Sequence, residues 1–253
     1  MYQSWGSDEA VRLKYGEGSP GVIEKLGRLT GLRRLYLFKQ PITSLDGIQN
    51  FTELEDLQIC QCGKLKDASA AFACQNLRSL RLDNCPVTSI QGVQNLWDLN
   101  NLNINGTEVS DLSPLSACDF SSAEENGGLW LMINGLPVKD YSPLTGLPLY
   151  RLDINNTKAD LFVPALEGTT LKYIMAGDCF DGKKATDNNE LFARLVRSHP
   201  ELEYLEIGSN LKLTDLTPLL DLTELKEVRV SDDMKKAISS LDGKDLSFEL
   251  IID

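Results

Sequence analysis

The chain has 253 residues, long enough for one sizeable domain around its own core. Its 25 basic and 37 acidic residues give a net charge of −12 and a pI near 4.6, the wrong sign for a phosphate backbone or an anionic membrane surface. That argues against nucleic acid and membrane as partners, and leaves solubility or attraction to a basic protein as the use of the acidity.

The first residues, Met1 to Glu9, have neither the basic start nor the apolar stretch of a secretory leader. No run reaches the ~20 apolar residues of a membrane span, so a cytoplasmic location is expected. Residues 1–29 form an N-terminal cap in this reading. Val11 to Tyr15 alternates like an added strand, and Ser19-Pro20 can start a short helix with Val22, Ile23, Leu26 and Leu29 on its apolar face.

From Leu32 onward one spacing recurs, clearest at Leu77, Leu80, Leu82, Val87 and Ile90. Copies start at Leu32, Leu54, Leu77, Leu99, Gly128, Leu149, Leu171, Leu202 and Leu225, nine in all. Three and five residues after each start stand Leu35/Leu37, Leu57/Ile59, Leu80/Leu82, Leu102/Ile104, Leu131/Ile133, Leu152/Ile154, Ile174/Ala176, Leu205/Ile207 and Val228/Val230. All eighteen are apolar. Each copy reads as one turn of a coil: a short strand such as Leu80-Arg81-Leu82 with its leucines inward, then a return underneath. Each buried leucine is worth roughly 1.5–3 kcal/mol, and stacking stabilises units that cannot fold singly.

Eight residues after the start stand Cys62, Cys85, Thr107, Thr157, Cys179 and Asn210. A small inward side chain at that turn can hydrogen-bond freed backbone groups, so the thiols read as structural. Cys74 and Cys118, near repeat ends, read as core. Two repeats are longer. Residues 119–127 are polar and acidic and read as a solvated loop. Residues 187–200 read as a helix capped by Asp187, carrying Leu191, Leu195 and Val196 and stopped by Pro200. A helix over 233–241 and a strand over 246–252 are expected to close the core as a C-terminal cap.

The returning halves read Thr43-Ser-Leu45-Asp-Gly-Ile48 and Thr88-Ser-Ile90-Gln-Gly-Val93, then Asp111-Leu-Ser-Pro-Leu115, Asp140-Tyr-Ser-Pro-Leu144 and Asp215-Leu-Thr-Pro-Leu219. They resemble the short leucine-rich repeats of internalins and of the SDS22-like class, and the 187–200 unit resembles the helical repeats of ribonuclease-inhibitor-type proteins. The resemblance implies an α/β fold: a right-handed leucine-rich-repeat solenoid with a curved parallel sheet and a convex side of turns and short 3₁₀ pieces. The expected organisation is a single domain over 1–253, with nine repeats in 30–230 between caps 1–29 and 231–253.

Catalytic and metal chemistry find little support in the residues. The single histidine, His199, stands at a helix end where it suits the dipole, and no nucleophile accompanies it in a known motif. Strand geometry sends Cys60 outward onto the concave face and Cys62 into the turn, so the pair is poorly placed for one zinc, and the paired CxxC spacing is missing. The segment from Asp178 to Gly182 does not fill a calcium loop. The chain is read as a non-enzyme with no cofactor and no metal.

Function is then expected on the concave face, where alternation puts the residues between the inward leucines. The partner-binding candidates are Trp130, Met132, Arg151, Asp153, Tyr173, Met175, Tyr204 and Glu206, with a smaller group of Arg34, Tyr36 and Phe38. Aromatic and arginine side chains are the usual interface anchors. The resemblance implies a protein-binding module that is monomeric, either an intracellular inhibitor or immunity protein neutralising a basic toxin or effector domain, or a regulatory subunit or adaptor of an enzyme.

Overall fold

A computed structural model describes residues 3–4, 10–13 and 21–253. The expected helix start at Ser19-Pro20 and the strand positions Lys14 and Tyr15 lie outside them. The chain divides into two compact units, residues 1–130 with 136–138 and residues 131–135 with 139–253.

In the first unit β1 (Gln3–Ser4) runs antiparallel to β2 (Ala10–Leu13), and α1 (Val22–Leu26) follows. The strands β2, β3 (Arg34–Phe38), β4 (Asp56–Cys60), β5 (Ser79–Arg81) and β6 (Asn101–Asn103) then pair in parallel in chain order. The register aligns Val11, Leu35, Leu57, Leu80 and Leu102. Residues 119–127, expected as a loop, contain instead the short helix α2 (Ser121–Glu125), because Phe120 and Ala123 bury their side chains and hold it. The strand β7 (Leu129–Met132) has its first two residues in this unit and its last two in the other.

In the second unit β8 (Leu149–Asp153), β9 (Tyr173–Met175), β10 (Tyr204–Gly208), β11 (Glu227–Val230) and β12 (Glu249–Ile252) are again parallel in chain order. Helices α3 (Ala159–Phe162), α4 (Ala185–Ser198) and α5 (Lys235–Ser239) lie on the returning segments. The long helix α4 starts two residues before the expected cap, with Asp187 in its first turn. Its core contacts come from Phe192, Leu195 and Val196, the ring of Phe192 meeting Phe180 edge-on at 5.6 Å, while Leu191 is only half-buried. The final helix and strand are shorter than expected. Met234, Ala237, Leu241 and Phe248 are buried, but Leu250 and Ile252, at the inward positions of β12, are not.

All eighteen inward strand positions are buried, none more than 2 % exposed. What ends the strand is equally regular in seven of the nine repeats, while in the Leu202 repeat the positive φ falls one residue earlier, on Gly208. Seven residues after the repeat start, Lys39, Gln61, Asn84, Gly106, Gly135, Asn156 and Asp178 all have a left-handed backbone, with φ between 52° and 64°. That single turn aims the next residue inward. There the Sγ atoms of Cys62, Cys85 and Cys179 lie 3.3–3.8 Å from strand carbonyls, and Thr107 Oγ1 donates to Ile104 O at 2.8 Å. Asn210 does most: Oδ1 accepts from the amides of Cys179 and Phe180, both at 2.7 Å, and Nδ2 donates to the carbonyls of Ala176 and Ile207. Cys74 is buried as expected, whereas Cys118 is half-exposed.

The returns are 3₁₀ turns, among them Ser69–Ala73, Ser113–Ala117, Ser142–Leu144 and Thr217–Asp221. Each is opened by an aspartate two residues upstream, Asp67, Asp111, Asp140 or Asp215, whose Oδ1 accepts a backbone N–H at 2.8–2.9 Å. A short acceptor side chain bonding to the backbone two residues on is the Asx-turn that starts such structure. In the first and third repeats Ser44 and Ser89 accept a backbone N–H two residues on in the same way. Part of the acidity is thereby structural: the bond to the backbone holds the Asp67 and Asp140 carboxyls below their usual range.

Candidate interaction face

Strand alternation turns the third and fifth residues of each repeat away from the core, and strand pairing sets them side by side about 4.8 Å apart. In the first unit Arg12 on β2 stands beside Tyr36 on β3, its guanidinium carbon 5.8 Å from the ring centre. The Tyr36 hydroxyl donates to Asp56 Oδ2 at 2.8 Å, and burial together with that bond pushes its pKa up to about 12. Lys39 Nζ lies 5.1 Å over the Phe38 ring, which is 39 % exposed. Arg34 is exposed at the head of the same strand. The three expected residues of this group therefore share one strand, and two cations that sequence reasoning left out, Arg12 and Lys39, complete it. The alternation of Val11 and Leu13 already placed Arg12 outward. Trp130, at the first unit's last described strand position, is 40 % exposed.

In the second unit the register makes two rows. One runs Arg151, Tyr173, Tyr204, Glu227 and the other Asp153, Met175, Glu206, Arg229. Tyr173 and Tyr204 stack face to face at 4.3 Å, and Tyr150 joins them at 5.1 Å from Tyr173. Burial and hydrogen bonding to its tyrosine neighbours raise the Tyr173 hydroxyl pKa strongly. Lys226 Nζ stands 5.9 Å from the ring of Tyr204. Arg151 grips Asp153 through Nε–Oδ1 at 2.8 Å and Nη2–Oδ2 at 3.1 Å, with Met175 Sδ 3.0 Å from the same Nη2. That pairing keeps Arg151 charged above its usual range. Met132, from the strand that opens this unit, is half-buried.

The structure thus brings Arg151, Asp153, Tyr173, Met175, Tyr204 and Glu206 together. Alternation does not leave every such position open, however. Asp153 is buried by Arg151, and Asn103 in the first unit is buried with its Oδ1 accepting the Asn105 amide at 3.0 Å. Asp153 therefore orients Arg151 instead of meeting a partner. Tyr150 was missed because it stands before the alternating pair; nothing in the periodicity marks it.

The remaining chemical candidates are accounted for within the fold. His199 is buried, with Nδ1 2.7 Å from Leu195 O and Nε2 3.0 Å from Thr169 Oγ1. Burial lowers its pKa. That burial disfavours the charged form which the helix dipole would have suited. Cys60 is half-exposed at the end of its strand, and Cys62 is buried because the left-handed Gln61 between them turns it inward. Among the described residues no group of three or more histidine, cysteine, aspartate or glutamate side chains is placed to hold a metal ion. Among them, too, no helix is long and apolar enough to cross a membrane.

No protein-family model and no curated protein matches the chain. Among solved structures it is similar to an internalin of Listeria monocytogenes, InlF, with 25 % identity and a TM-score of 0.60, over 96 % of this chain and 66 % of that one. It is similar also to internalin C2 of the same organism, with 20 % identity and a TM-score of 0.56, over 88 % of this chain and 80 % of that one. The chain spans just under two thirds of the InlF chain. What they share is the α/β architecture of an open parallel sheet with irregular returns.

Proposed function

Since the chain is a leucine-rich-repeat protein of short internalin-like repeats with one longer helical repeat, we propose that it is a non-enzymatic protein-binding module whose partner docks on the strand face. The observation that carries this is the group formed by Tyr173, Tyr204, Met175 and the braced Arg151, in register on neighbouring strands and each half-exposed. Rings and a guanidinium held rigid before contact are what interface hot spots are made of, since little side-chain freedom is lost on binding. The rings of Tyr36 and Phe38 offer the first unit's contribution.

The finer reading is an intracellular, monomeric inhibitor or immunity protein that neutralises a basic toxin or effector domain. It is supported by the net charge of −12, which favours encounter with a positively charged partner. A regulatory subunit or adaptor of an enzyme is the second reading, favoured by returns that follow the SDS22-like pattern through their Asx-opened 3₁₀ turns. The test is affinity capture from the native cell with the parent chain and a Tyr173→Ala, Tyr204→Ala variant as baits, followed by titration of the recovered partner. Loss of about tenfold or more in affinity for a basic protein, with an association rate that drops as salt rises, supports the inhibitor reading. Equal capture by both baits overturns the choice of face.

A further inference from the structure

The charges of the second unit's strand face do not all find partners. Arg151 is committed to Asp153 in two hydrogen bonds. Arg229, directly across from Glu206 on the neighbouring strand, turns along its own strand to Glu227 at 2.6 Å, with Asp253 at 3.9 Å. The Glu206 carboxylate is left over: among the described residues it makes no hydrogen bond and no ion pair. It lies in a cavity of about 210 Å³, walled by Tyr173, Tyr204 and Met175 with Arg151 and Arg229 at its sides. Two residues beyond Met175 and Glu206 stand Gly177 and Gly208, so no side chain rises beside them there. A Cβ on Gly208 would sit 3.2 Å from the Gly177 backbone, so this opening follows from close strand approach.

We propose that this cavity is a receptor for an arginine side chain of the partner, which seats its guanidinium on the Glu206 carboxylate between Met175 and the tyrosine rings. Both carboxylate oxygens are available for the paired hydrogen bonds that a guanidinium makes and an ammonium does not. The flat, weakly hydrated guanidinium also suits walls of ring and thioether, whereas a second carboxylate in that place would meet repulsion. Partial burial, which raises the Glu206 pKa, means that the free site stores a desolvation cost that a cation relieves. The inference rests on the protein-binding reading and names its chemistry.

The test uses N-acetyl-arginine amide as probe and N-acetyl-citrulline amide as its neutral counterpart, read by NMR on the full chain. The arginine probe should shift the ring signals of Tyr173 and Tyr204 and lower the midpoint at which the Glu206 carboxyl titrates. Citrulline and the Glu206→Gln variant should each weaken binding about tenfold or more. An unchanged amide spectrum away from the site shows that the variant is folded, and Glu224→Gln, on an exposed return, should bind like the parent. Citrulline binding as well as arginine, or full binding by Glu206→Gln, overturns the proposal. A silent probe together with partner capture that still depends on Tyr173 overturns the arginine assignment while the protein-binding reading stands. A seated probe with capture indifferent to Tyr173 keeps the assignment and removes that reading.

Discussion

In the first unit Arg12 and Lys39 lie over the rings of Tyr36 and Phe38, whereas in the second the rings of Tyr150, Tyr173 and Tyr204 lie against one another and Lys226 meets the last. The same repeat therefore carries surplus cations over aromatic faces in one place and a surplus carboxylate beside stacked aromatics in the other. The turn beneath differs too. Both units use a threonine at the inward turn position, Thr107 and Thr157, but the first adds the thiols of Cys62 and Cys85, whereas the second adds the carboxamide of Asn210 to the thiol of Cys179. The strand core fixes where side chains go, and leaves their chemistry free to vary from one repeat to the next.

The turn difference can be broken most directly. Asn210→Ala removes four backbone partners from a buried site and should cost about 3 kcal/mol or more in urea unfolding. Its counterpart Cys85→Ala should cost about 1–2 kcal/mol, because a thiol is a weak donor and little volume is lost. If the two cost the same, the carboxamide network is not what holds the second unit's turn. On the face, Arg151→Met strands the buried Asp153 and should cost about 2 kcal/mol, less than a fully buried pair because the arginine side chain is 30 % exposed. Adding Asp153→Leu should restore most of it.

A pH difference should also separate the units. The chain's one histidine is in the second, and its pKa is lowered on folding. The unfolded chain then binds that proton more readily, so the stabilisation is complete above the unfolded value near 6.5 and is lost as pH falls through the folded one. Hydrogen exchange followed from pH 7.5 to 5.5 should show protection falling around His199 and Thr169, with no matching step at Leu35 to Leu57, and His199→Gln should flatten the change. The smallest effect lies at the left-handed turns. Gln61→Gly relieves a backbone that glycine adopts freely and should stabilise by about 0.5–1 kcal/mol, while the same replacement is already natural at Gly106 and Gly135.

The inward positions were legible because strand periodicity acts on them alone: Leu35 and Leu57 have one role and one burial. The face was legible as positions but not as pairings, since alternation lists Arg151, Asp153 and Arg229 without saying which carboxylate each arginine takes. Tyr150 shows the same limit, reaching the stack from outside the alternating set. Polar composition also hid the helix at Ser121–Glu125, where Phe120 and Ala123 suffice to anchor it. The acidity was read only as a matter of solubility or partner choice. Asp67, Asp111, Asp140 and Asp215 spend their charge on opening 3₁₀ turns, a local use that their place two residues before Ser or Thr could have revealed.

The inward thiols give the molecule a set of native clocks. Cys62, Cys85 and Cys179 are sealed from solvent, so a maleimide can reach each only when its own coil turn opens. Half-exposed Cys60 supplies the reference rate for a thiol that needs no such opening. Timing the modification of each sulfur by mass spectrometry would thus convert the interior into a turn-by-turn record of breathing, obtained without introducing a single foreign residue.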